Sequence, residues 1–143
     1  MTTAGSHACA VTHEGEAVCW GRRSDGQSEP PPARYTAISS GWSHTCALTE
    51  DGEAVCWGSP YDGRTDAPPG RYTAISAGWN HTCALNEEEQ AVCWGANGLG
   101  QSDPLPGRYV AISASEVRTC AVTDTGEVVC WGDTAYERLP VRL

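Results

Sequence analysis

HTCALTEDGEAVCWG, His44 to Gly58, is one of four copies of a single pattern in this 143-residue chain. Cys9, Cys46, Cys83 and Cys120 stand 37 residues apart. Cys19, Cys56, Cys93 and Cys130 keep the same step, and each is followed by a Trp-Gly pair. Arg34-Tyr35, Arg71-Tyr72 and Arg108-Tyr109 hold it too, as do Ile38, Ile75 and Ile112. A fixed period of roughly 20–50 residues marks a propeller, a solenoid or another stacked array.

Within one copy, two short runs, His44 to Thr49 and Glu53 to Trp57, flank Glu50-Asp51-Gly52. Three residues ending in Gly fit a hairpin loop whose last position is left-handed. Gly15, Gly52 and Gly126 hold that position; Glu89 takes it in the third copy, a strained choice costing about 1 kcal/mol. That turn pairs Thr49 with Glu53, Leu48 with Ala54, Ala47 with Val55 and Cys46 with Cys56. Counting outward, the cysteines fall on a non-hydrogen-bonded pair, where side chains approach most closely. A cross-strand disulfide is therefore sterically open to every copy, each worth roughly 2–3 kcal/mol before strain. Leu48, Cys46 and Ala54 form one face of the hairpin, and Ala47, Val55 and Trp57 the other. A sheet apolar on both faces must be covered on both, and stacking on neighbouring copies does that. Arg34 to Ser39 supplies a third strand, followed by a turn at Gly41-Trp42.

The unit from Arg71 to Gly107 resembles the repeat of the regulator-of-chromosome-condensation family. Gly78, His81-Thr82, Ala84-Leu85, Trp94-Gly95 and Gly100-Gln101 carry the resemblance. It implies a β-propeller, usually of seven blades, with a scaffold or interaction role, and the paired cysteines look like those of exported bacterial members. Here there are four units. The expected fold is all-β: a propeller-type repeat of four three-stranded blades, half of a larger ring that a second chain would complete. Residues 1–143 read as one repeat domain, with units at about 1–33, 34–70, 71–107 and 108–143.

The net charge is −9, and all nine basic residues are Arg. Such a balance argues against nucleic acid and anionic membrane surfaces as partners. Eight cysteines at constant spacing point to an oxidising compartment, extracellular or at the cell surface. The alternative is small reduced core residues. No signal peptide is visible, and Met1 aligns with Ile38 inside a repeat. The chain thus reads as a fragment, an engineered piece or a mature region with an added Met, its first unit lacking a leading strand.

Pro30-Pro31-Pro32, Pro68-Pro69 and Pro104-Leu105-Pro106 occupy the connections between units, where Pro cannot join a ladder. The fourth unit diverges: Ser115 replaces Gly, Glu116 replaces Trp and Arg118 replaces His. Arg138 to Leu143 is a candidate strand for completing the first blade, within the chain or in a second copy. Four blades could form a tight ring, two copies an eight-bladed ring, and an unclosed contact a filament. A homo-oligomer is expected, because an open arc leaves an apolar face in water at each end.

Candidate chemistry is sparse. His44, Cys46 and Cys56 could suggest zinc, but a fourth ligand is missing and Arg118 takes the His position in unit four. A histidine bonded to backbone of the neighbouring blade is the better account, and no metal or cofactor is assigned. Asp62-Gly63 with Asp66 lacks the regular oxygen ladder of a calcium loop. Glu87-Glu88-Glu89 reads as a solvated hairpin tip, Asn80-His81-Thr82 matches a glycosylation sequon by chance, and no nucleophile elbow or phosphate loop occurs. The chain is not read as an enzyme.

Residues that differ between units are the best guide to function, since the framework does not dictate them. They are Arg22, Arg23, Tyr61, Asn97 and Leu99 in the loops after Trp-Gly; Trp42 and Trp79, at repeated turns where an aromatic can be partly exposed, join them as candidates. Aromatics and Arg on one rim suit a protein partner; repeated Trp could also stack on sugars or simply fill gaps between blades. The leading reading is a non-enzymatic scaffold for protein–protein interaction, with the partner another protein or another copy of the chain. The alternatives are a self-assembling structural unit and a carbohydrate-binding propeller.

Overall fold

The computed structural model describes residues 2–4, 7–133 and 138–140. It contains four antiparallel sheets stacked as blades. The first holds β1 (Thr2–Ala4), β2 (His7–Val11) and β3 (Ala17–Gly21). The second holds β4 (Tyr35–Ser40), β5 (His44–Thr49) and β6 (Ala54–Gly58). The third is β7 (Tyr72–Ala77), β8 (His81–Asn86) and β9 (Ala91–Gly95). The fourth is β10 (Tyr109–Ser115), β11 (Arg118–Thr123), β12 (Glu127–Gly132) and β13 (Arg138–Pro140).

Turn chemistry sets the register. Thr49 N–H donates to Glu53 O at 2.9 Å and Gly52 N–H to Thr49 O at 2.9 Å, with Gly52 at φ 82°. Cys46 then sits opposite Cys56, and the equivalent pairs Cys9–Cys19, Cys83–Cys93 and Cys120–Cys130 are bonded likewise, with Cα atoms 4.1 Å apart. Glu89 adopts φ 64° in the Gly position of the third turn. There Asn86 Oδ1 accepts from Glu88 N–H and Gln90 N–H, holding a turn that a side chain disfavours.

Blades pack face to face. Leu48 and Cys46 on one face of the second blade meet Tyr72, Ala84 and Trp94 of the third. Leu85 of the third meets Tyr109, Ala121, Val129 and Trp131 of the fourth, and Tyr35, Ala47 and Trp57 of the second receive Val11 and Ala17 of the first. In each interface a Tyr and a Trp ring lie 5.8–6.1 Å apart. Trp57, Trp94 and Trp131 are buried, each contributing about 2–3 kcal/mol through lost apolar surface. The leading strands β1, β4, β7 and β10 pack on one another in succession and so lie innermost. The Tyr hydroxyls pin the Pro-rich connections: Tyr35 to Pro31 O (2.7 Å), Tyr72 to Pro68 O (2.8 Å) and Tyr109 to Leu105 O (2.6 Å).

Two expectations are corrected at the ends. The first blade does have a leading strand, because Thr2–Ala4 pairs with β2 in the register Thr2–Cys9 to Ala4–His7. Three residues suffice to extend a ladder already nucleated by the hairpin. Arg138–Pro140 does not join the first blade; it pairs with β12 as a fourth strand, Val128 opposite Leu139. The free edge of β12 is a few residues away along the chain, so this closure costs less loop entropy than a crossing to the far blade. Val141 to Leu143 lies outside the described residues. The blades form a partial propeller: the strongest packing between sheets joins successive blades only.

Candidate interaction surface

The strand directions give the arc two unlike rims. One carries the β-hairpin tips. Glu50, Asp51 and Glu53 lie on one tip, Glu87, Glu88 and Glu89 on the next, and these are flanked by Arg34 and Arg108. Arg34 approaches Glu50 at 3.9 Å and Arg108 approaches Glu89 at 3.4 Å, exposed pairs worth about 0–1 kcal/mol each.

The other rim is built where each middle strand begins and each outer strand ends. Ser59 N–H donates to Ser43 O (2.9 Å), Ala96 N–H to Asn80 O (2.9 Å) and Asp133 N–H to Val117 O (3.1 Å), so in the second, third and fourth blades the loop after Trp-Gly is tied to the turn before the middle strand. Trp42 N–H reaches Trp79 O (3.1 Å), and Trp79 N–H reaches Glu116 O (3.0 Å), linking those turns between blades. Trp42, Trp79, Arg22, Arg23, Tyr61, Asn97 and Leu99 therefore share one rim, and all seven are exposed. The Trp42 and Trp79 rings meet edge to face at 5.0 Å. They remain 48% and 38% exposed, against 7%, 6% and 0% for Trp57, Trp94 and Trp131. Two of the seven are partly occupied: Asn97 Oδ1 accepts from Ser102 N–H (3.0 Å), and Arg22 Nε donates to Ser24 Oγ (2.7 Å).

Beneath the rim lies a repeated polar junction between blades. His7 Nε2 lies 2.8 Å from Thr45 Oγ1, and the Thr45 hydroxyl donates to Gln27 O at 3.0 Å. Trp57 Nε1 donates to the same carbonyl at 3.0 Å. His81, Thr119, Gln101 and Trp131 repeat the arrangement at 2.7, 3.1 and 3.1 Å. Because the Thr proton goes to a carbonyl, the His must donate from Nε2. His44 meets Thr82 at 2.8 Å. Arg64 stands in the Gln position there, and Trp94 Nε1 is buried without a partner. Each histidine thus meets a threonine hydroxyl on the next blade, beside the neighbouring-blade backbone at His44, His81 and Arg118 that the sequence leads one to expect. Burial pulls the His44 pKa to about 3, with Arg64, His81 and His7 charges adding to the effect, and burial likewise takes His81 to about 4. Both imidazoles are neutral at physiological pH. The paired cysteines have no thiolate to offer a metal, and among the described residues no group of His, Cys, Asp and Glu could hold one.

Sequence reasoning missed the Thr half of this junction. Its signal was present: His7, His44 and His81 each precede a Thr by 38 residues, Thr45, Thr82 and Thr119.

Residues 35–64, 72–101 and 109–136 match the family model for the regulator of chromosome condensation (RCC1) repeat. The chain belongs to this repeat family. Comparison with curated protein sequences gives no match. Among solved structures, the ectodomain of the Arabidopsis thaliana receptor kinase ACR4 matches with a TM-score of 0.81 and 22% identity, covering 99% of this chain and 52% of that one. The ectodomain of the Physcomitrella patens receptor kinase CR4 matches at 0.78 and 28%, covering 93% and 40%. Yeast RCC1 (Prp20) bound to Kap60 matches at 0.78 and 19%, covering 90% and 42%. The chain spans about half the length of these structures, so it is a partial RCC1-type propeller. Among the described residues no helix is long and apolar enough to cross a membrane.

Proposed function

We propose that this RCC1-repeat chain is a non-enzymatic scaffold that binds a protein partner through the rim carrying Trp42, Trp79 and Tyr61. One observation supports this above others: Arg22, Arg23, Tyr61, Asn97 and Leu99, which vary between units, lie exposed on one rim beside the repeated and exposed Trp42 and Trp79, while Trp57, Trp94 and Trp131 are buried. Exposed Trp, Tyr and Arg over a rigid base are the composition of interaction hot spots. That the yeast relative is held by a protein, Kap60, is consistent with the reading. Four disulfides suit an oxidising compartment, and we place the scaffold outside the cell or on its surface.

Selection of displayed protein fragments on the immobilised chain tests the rim. Binders are expected to lose at least tenfold in affinity for a Trp42→Ser/Trp79→Ser/Tyr61→Ser variant, and to keep affinity for Glu50→Gln/Glu87→Gln on the opposite rim. Equal loss on both, or none on the first, would refute the assignment. A glycan array with the same variants separates the carbohydrate-binding alternative. A second reading, self-assembly, is favoured by the exposed Val18 and Trp20 on the first blade.

A further inference from the structure

The two end faces of the arc repeat the two sides of the interface that successive blades build inside the chain. Inside the chain, the face of the third blade bearing Leu85 and Cys93 is sealed by Tyr109, Ala121, Val129 and Trp131 of the fourth. The first blade presents Ala10, Val18 and Trp20 at the positions of Ala121, Val129 and Trp131; only Tyr109 has no counterpart in residues 1–143. Among the described residues no other blade packs on them. Val18 and Trp20 are 46% and 47% exposed, where Val129 and Trp131 are 0%. At the other end, the outer face of the fourth blade holds an apolar depression of about 260 Å³, bordered by Ala111, Cys120, Val122 and Val128. That face is the repeat of the one that receives Trp131.

The His–Thr pair is kept at the three interfaces inside the chain and broken at these two faces. His7, His44 and His81 each reach a Thr on the following blade, but Arg118 stands in the fourth His position. Thr45, Thr82 and Thr119 receive them, but the first blade has Ala8 in the Thr position. Ala8 is paired across the strands with Trp20, as Thr119 is with Trp131. If the fourth blade met a first blade in the repeat's own geometry, Arg118 would fall opposite Ala8 and Trp20. The lost Thr hydroxyl makes room for the longer side chain, and a guanidinium over an indole is attractive. Arg118 is exposed in the single chain.

We propose that the outer face of the fourth blade is a socket for the first blade of a second copy of this chain, with Trp20 as the inserted side chain and Arg118 laid against its ring. This deepens the self-assembly reading and is independent of the partner rim. It continues an interface the chain already builds three times. Two copies carry eight blades, within the range of about 4–8 that propellers close; a contact that fails to close gives a filament by the same junction.

The test is absolute mass by light scattering after size exclusion, on the intact oxidised chain and on two variants. Trp20→Glu spoils the inserted side and Ala111→Glu spoils the socket; both residues are exposed, and circular dichroism confirms that each variant folds. The unaltered chain is expected at twice its 15.2 kDa mass, or at larger multiples. Each variant alone should run as a single chain. Mixed in equal amounts, they should pair again, because one keeps an intact socket and the other an intact Trp20. A single-chain mass for the unaltered protein at every concentration overturns the proposal. So does association that survives in either variant alone, or a mixture that stays unpaired. None of these outcomes bears on binding at the Trp42–Trp79 rim, which the fragment selection reads separately.

Discussion

Acidification should unfold this protein through its buried histidines. His44 and His81 are wholly inaccessible to solvent and hydrogen-bonded through Nε2 to Thr82 and Thr119. Their folded-state pKa values lie at about 3 and about 4, below the 6.5 of the unfolded chain. Above pH 6.5 both states are neutral, and the full stability is present. As pH falls below 6.5, the unfolded chain takes up two protons that the folded chain refuses, so stability is lost until the folded pKa values are reached. Each group contributes a slope of about 1.4 kcal/mol per pH unit. From about pH 6.5 to about pH 4.5 the two together remove about 3–5 kcal/mol, a large part of the roughly 5–15 kcal/mol that holds a domain folded. Urea unfolding followed by tryptophan fluorescence, at half-unit pH steps and with disulfides intact, measures the slope. A His44→Gln/His81→Gln variant is less stable at neutral pH but should show a much flatter dependence over this window. Equal slopes for the two proteins, or a flat curve for the unaltered one, would refute the reasoning.

Other outcomes follow from the same packing. Thr82→Ala should cost about 1–3 kcal/mol in urea unfolding, because it leaves His44 Nε2 buried without a partner. Gly78→Ala should cost about 1–3 kcal/mol, since its Cβ would strike the His81 ring and stand 2.9 Å from Ser115 O; Ser115 itself is accepted at the equivalent position because Arg118 replaces the ring. A reductant should lower the thermal midpoint steeply, since each bridge closing a short hairpin is worth roughly 2–3 kcal/mol; a midpoint unmoved by reductant would show the bridges to be dispensable. Acrylamide should quench Trp42, Trp79 and, in a single chain, Trp20, while Trp57, Trp94 and Trp131 stay protected.

The hairpin was legible in the sequence because its determinants are local. A Gly three residues into a turn fixes the register, and the register decides which side chains face one another. Cys46 opposite Cys56 and the two apolar faces followed from counting alone. The end strands were legible only in part. Thr2–Ala4 is too short to signal a strand, and Arg138 to Leu143 read as a strand but not for the edge it joins, which depends on which edge is free in three dimensions. The His–Thr junction needed knowledge of how far one blade is shifted against the next, and only the stacked structure supplies that offset. The grouping of Trp42 with Tyr61 and Arg22 on one rim was legible, because the repeat puts every loop after Trp-Gly and every Gly-Trp turn at the same end of its sheet.

Every disulfide in this chain closes within its own blade, between cysteines 10 residues apart, and none crosses from one blade to the next. The unit of covalent closure is therefore also the unit of repetition. A gene that duplicates or deletes one 37-residue segment never strands a half-cystine, so propellers of this type can change blade number without passing through a mispaired intermediate. During synthesis, each cysteine meets its mate as soon as one hairpin has emerged. Oxidation can keep pace with translation, and the order of bond formation is written into the order of the chain.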